Sequence, residues 1–74
     1  MNNIKLTELQ AKIAIELKSE LRGKEIAHKL EISYPKFNKK VAQIYEKFSV
    51  NSRGQLLWKL EQENINPMDL INSK

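Results

Sequence analysis

An all-α fold is what this sequence predicts, and three observations lead there. Apolar residues recur at three- and four-residue spacing: Leu6, Leu9, Ile13, Leu17 and Leu21 form one such stripe, and Phe37, Val41, Ile44 and Phe48 another. Helix punctuation falls between the stripes, at Thr7, Ser33-Tyr34-Pro35, Ser52 and Asn66-Pro67. No segment alternates apolar and polar residues as a half-buried strand does. At 74 residues the chain is enough for one small domain with one core.

Four helices are expected. The first spans about residues 6–19, with Thr7 near its start and Glu8 suited to its positive end. A short second helix, about 23–30, carries Ile26, Ala27 and Leu30, with Ile32 just beyond. Ser33 is a good N-cap for the third, about 34–48. Pro35 is tolerated there because an N–H in the first turn lacks a helical partner anyway. Ser52 starts the fourth, about 52–64, with Leu56, Leu57 and Leu60 facing inward.

Composition excludes several classes of function. Without cysteine there is no disulfide or thiolate metal site. No apolar run approaches the roughly 18 residues of a membrane span, and MNNIKLTELQ carries no signal-peptide core, so a cytoplasmic chain is expected. His28, the single histidine, has only Glu25 and Glu31 near it in sequence and reads as a surface residue. With two glycines, no phosphate-cradling loop fits, and no nucleophile–base order appears. Neither enzyme, metal nor cofactor is expected.

Charge placement says more than the net +4. Residues 1–21 balance. Residues 22–53 hold Arg22, Lys24, Lys29, Lys36, Lys39, Lys40, Lys47 and Arg53 against Glu25, Glu31 and Glu46, and residues 54–74 are slightly acidic. A basic patch on one part of a small domain suits a polyanion. A short helix, a tight turn at Glu31-Ile32-Ser33-Tyr34-Pro35 and a longer basic helix also form a helix-turn-helix pattern, whose second helix lies in the DNA major groove. An ordinary helical hairpin has the same pattern.

The third helix has three sides. At about 100° per residue, Phe37, Val41, Ile44 and Phe48 form a narrow core stripe. Lys36, Lys40, Gln43 and Lys47 lie along one flank. Asn38, Lys39, Ala42 and Glu46 face away from the core. Asn38 is suited to adenine, Lys39 to guanine or phosphate, and Ala42 to close approach and a thymine methyl.

The chain resembles the LuxR-type (GerE-like) helix-turn-helix family. The resemblance rests on Leu6-Thr7, Lys24-Glu25-Ile26-Ala27, Leu30-x-Ile32-Ser33, Phe37, Val41, Ile44, Lys47-Phe48, Val50 and Arg53, in order and without a gap over residues 6 to about 60. It implies a four-helix DNA-binding domain at 6–64, with a flexible N-terminus at 1–5 and a C-terminal tail at 65–74. It implies a bacterial transcription regulator that binds double-stranded DNA in the cytoplasm, at the nucleoid. It places base reading on Asn38, Lys39 and Ala42, and backbone contact on Lys24, Lys36, Lys40, Gln43, Lys47 and Arg53. A homodimer through the fourth helix and contacts with RNA polymerase or a sensor domain are also implied. Leu57 and Trp58 are the candidate dimer residues. Alternatively Ile65, Met68, Leu70 and Ile71 fold back over Trp58.

The sequence departs from the family at Leu9-Gln10, where Arg-Glu is usual, at Glu20 and Arg22 in the first turn, and along Lys36–Lys40. These departures leave room for a second reading: an adaptor of the same fold that binds an acidic protein through Lys36, Lys40 and Lys47.

Overall fold

The computed structural model describes residues 4–71, which form four α-helices and a final 3-10 turn, with no strand among them. The terminal residues 72–74, expected to fray, lie outside the described residues, as do residues 1–3 of the expected flexible N-terminus.

α1 spans Glu8–Leu17. Its start is a reciprocal capping box: the Thr7 hydroxyl accepts the Gln10 N–H at 3.1 Å, and the Gln10 side-chain oxygen accepts the Thr7 N–H at 3.0 Å. The helix is buried on more than its leucine stripe. Gln10, Ala11, Ile13, Ala14 and Leu17 are all inaccessible, and the two alanines let neighbours approach closely. α1 packs against α2 (Gly23–Lys29), α3 (Tyr34–Phe48) and the 3-10 turn (Pro67–Leu70), so the rest of the fold is arranged around it.

The expected caps of the later helices are present. The Ser33 hydroxyl accepts the Lys36 N–H, and the Ser52 hydroxyl accepts the Gln55 N–H, each at 3.2 Å. α2 starts at Arg22 with no side-chain cap on that residue; instead the Glu25 carboxylate reaches back to the Arg22 N–H at 2.7 Å. α4 runs Arg53–Gln62 and inserts Leu56 and Leu60 into the core beside Phe37, Ile44 and Phe48. The first and fourth helices are thus shorter than expected at both ends.

Three helices end the same way without a glycine. Glu31, Ser49 and Asn64 take the left-handed conformation, with φ of 61°, 58° and 53°. The N–H of the following residue then closes on a carbonyl five residues back: Ile32 on Ala27, Val50 on Tyr45, Ile65 on Leu60. Each of these closing residues is apolar and packs against the core, which offsets the backbone cost of a non-glycine at positive φ. After α2 this ending, followed at once by the Ser33 cap, makes the turn into α3.

Residues 65–71, read from the sequence as a tail, belong to the folded unit. Pro67 is buried, and the Asn66 side chain caps the 3-10 turn by accepting the Met68 N–H at 3.1 Å. The Leu6 N–H donates to the Leu70 carbonyl at 2.8 Å, and Leu6 pairs with Ile71 in a parallel bridge. The chain therefore closes on itself beside the start of α1. Ile4 and Leu6 also join the core packing, so the folded unit reaches into the segment expected to be flexible.

Candidate functional site

The outer side of α3 is open. Asn38, Lys39, Ala42 and Glu46 are all exposed, as the helical geometry of the sequence predicts. Lys36 is exposed and Lys40 half-buried on the adjoining flank. Lys36, Lys39 and Lys40 have no ion-pair partner among the described residues. Lys12, Lys29 and Lys59 do, with Glu8 at 3.6 Å, Glu16 at 3.0 Å and Glu63 at 3.8 Å. The N-terminal half of α3 thus carries three lysines free of ion pairs among the described residues.

Three of the expected backbone-contacting residues have work inside the domain. Lys47 donates to the Gln10 side-chain oxygen at 2.9 Å and to the Lys5 carbonyl at 2.6 Å. Gln43 accepts from the Gln10 amide at 3.0 Å. Gln10, 4% exposed, is the hub: it caps α1, holds Gln43 and receives Lys47, so that its buried polar atoms are all satisfied. Arg53, at the start of α4, donates from Nε to the Leu17 carbonyl at 2.9 Å and from Nη2 to the Ser19 carbonyl at 2.8 Å. It closes the C-terminal end of α1, whose last turn carries no basic residue of its own. These three side chains, expected to contact DNA, bind neutral oxygen and amide groups of the protein.

Lys24, by contrast, is exposed at the start of α2, with its ammonium 5.5 Å from the centre of the Tyr34 ring. Tyr34 stacks on buried Phe37, with centroids 6.1 Å apart and planes inclined by 11°. Sequence reasoning missed both this aromatic corner and the Gln10 hub. Each joins residues that periodicity places on separate helices, and only the departure at Leu9-Gln10 hinted at the hub.

Titration is perturbed at Tyr45, half-buried on α3, where desolvation pushes the phenol up and the Arg53 charge pulls it partly back. His28 is exposed at the last turn of α2.

The α4 surface differs from expectation. Trp58 is 65% exposed, and the C-terminal segment packs on α1 without covering it; Met68 is itself 43% exposed. Trp58 borders a shallow groove with Val50, Asn51, Gln55 and Lys59. Leu57, half-buried, opens onto a different groove with Lys18, Leu60, Glu61 and Ile65. The two candidate contact residues therefore line separate surfaces. Among the described residues no helix is long and apolar enough to cross a membrane.

Comparison with known proteins brings no likeness to bear on these residues: no family model, curated protein or solved structure matches the chain.

Proposed function

We propose that the chain binds double-stranded DNA sequence-specifically, as a bacterial transcription regulator. In this reading α2 and α3 act as a helix-turn-helix with α3 in the major groove. The observation that carries the reading is the outer side of α3, where Asn38 and small Ala42 lie beside three lysines that the domain leaves without an acidic partner. A helix about 10–12 Å across fits a major groove about 12 Å wide. Asn38, Lys39 and Ala42 then face base edges, and Lys24, Lys36 and Lys40 the phosphates. Gln43 and Lys47 hold α1 against α3, and Arg53 ties the start of α4 to the end of α1, which supports α3 from behind. The LuxR-type resemblance over residues 6 to about 60 supports the same assignment. Exposed Trp58 is the α4 residue suited to bury against a second copy when the operator has two half-sites.

Selection of bound duplexes from a random pool, with affinities read at two salt concentrations, tests this. An enriched motif held far more tightly than the bulk pool is the expected result. Asn38→Ala and Lys39→Ala then shift the preferred bases, each at a cost of about 1–3 kcal/mol. Weak binding with no motif removes the reading and favours the adaptor of an acidic protein.

A further inference from the structure

The aromatic corner between α2 and α3 has a free polar tip. Tyr34, the first residue of α3, is 40% exposed; Phe37 is stacked with it and the Lys24 ammonium lies 5.5 Å from its ring centre. Gly23 makes the close approach of α2 to these rings feasible. A Cβ there stands 3.0 Å from Phe37 Cε2 and 3.3 Å from Tyr34 Cε1, so a side chain requires these rings to give by a few tenths of an ångström. The Tyr34 hydroxyl has no hydrogen-bond partner among the described residues. These neighbours hold the ring in place. What it offers is a hydroxyl donor on a pre-positioned side chain, with an ammonium beside it.

We infer that Tyr34 is a phosphate-binding residue: its hydroxyl donates to a DNA backbone phosphate while its ring holds Lys24 alongside to meet the same stretch of backbone. This rests on the DNA reading above and adds to it a contact residue that neither the basic pattern nor the family resemblance assigns. Three further observations favour a phosphate. Tyr34 lies about 40° around α3 from Asn38 and one turn nearer its start, at the edge of the outer side where a helix leaves the groove floor for the strand. Arg22 and Lys36, each two residues from Lys24 or Tyr34 in sequence, add positive charge at the starts of the two helices, and both are exposed. Glu25, the carboxylate next to Lys24 in sequence, has an oxygen taken by the Arg22 N–H. The cation–π contact and the ring stacking also limit the side-chain freedom lost on binding.

The test compares wild-type chain, Tyr34→Phe, Tyr34→Leu and Lys24→Met on one selected duplex by fluorescence anisotropy across a salt series, with thermal unfolding of each. Tyr34→Phe keeps the ring and its contacts, so its unfolding temperature stays at the wild-type value. Its affinity falls roughly ten-fold, as befits a hydrogen bond to a charged acceptor, with the salt slope unchanged. Lys24→Met lowers the log–log salt slope by about 0.9, and Tyr34→Leu reduces both affinity and slope. A Tyr34→Phe chain that binds as tightly as wild-type overturns the inference and leaves the DNA reading standing. A wild-type chain that binds no duplex overturns both.

Discussion

Lys47 and Arg53 direct their charges at neutral oxygen atoms of their own domain, whereas Lys36, Lys39 and Lys40 have no acidic partner among the described residues. The contrast cuts across helical geometry. Lys36, Lys40, Gln43 and Lys47 share one flank of α3, yet the flank changes its role along its length. Near the start of α3 it is open. Farther along it meets the start of α1, where Gln10 waits with one oxygen and one amide. A basic flank is thus two devices in series: a charged surface at one end and a polar weld at the other. The residue types alone do not distinguish them, because an ammonium can donate to a phosphate or to a backbone carbonyl.

The largest expected effect separates the two ends by binding. Replacing Lys36, Lys39 and Lys40 together by alanine lowers the salt slope of DNA binding by about 1.8, at about 0.9 for each of the two phosphates that Lys36 and Lys40 no longer neutralise. Stability changes by no more than about 0.5 kcal/mol, as for surface residues without partners. Anisotropy titrations in a salt series and thermal unfolding read the two quantities separately. A triple variant that melts far below wild-type breaks the comparison, because it places these lysines in the weld.

Next in size is the converse experiment. Arg53→Ala removes two charge-assisted bonds to the carbonyls that end α1, and the expected loss is on the order of 2 kcal/mol of unfolding free energy. Urea denaturation measures it. The salt slope of the folded variant stays at the wild-type value. A fall of nearly one unit, with stability unchanged, assigns Arg53 to the phosphates after all.

Much of the fold was legible because its signals are local. Thr7, Ser33 and Ser52 cap the helices they precede, and the stripe through Phe37, Ile44 and Phe48 enters the core as periodicity requires. The helix ends were harder. With two glycines in the chain, the left-handed stops at Glu31, Ser49 and Asn64 carry no glycine signal. Their sequence trace is fainter: a polar residue followed by an apolar one, as in Glu31-Ile32, Ser49-Val50 and Asn64-Ile65. The closure of the chain was hidden for a related reason. Asn66-Pro67 reads as the end of a helix, but α4 has already stopped at Gln62, and the pair instead opens the 3-10 turn that docks on α1. At the candidate site the outward side of α3 followed from the 100° rotation, because exposure depends on one helix alone. The inner partners did not: Gln10 meets Gln43 across 33 positions and Lys47 across 37. No spacing rule covers a contact made by folding α1 against α3.

The smallest expected effect probes the boundary between the two devices. In Gln10→Glu the acceptor oxygen for Thr7 and Lys47 is retained, but the amide donor to Gln43 is lost and a carboxylate faces the Lys47 ammonium. The terms oppose each other. The pair with the exposed Lys47 ammonium is favourable, but the carboxylate loses hydration at a 4% exposed position, and an acceptor set against the Gln43 oxygen costs more unless that amide turns over to present its nitrogen. With the amide turned over, the net change in stability is within about 1 kcal/mol. The salt slope is the sharper reading. If the Lys47 charge serves only the weld, neutralising it leaves the slope of DNA binding where it was, and that is the expected result. A slope lower by about 0.9 means that Lys47, while bonded to Lys5 and Gln10, also faces a phosphate with its remaining N–H. The flank then works as one continuous basic edge, and Gln10, by being neutral, is what keeps its far end positive.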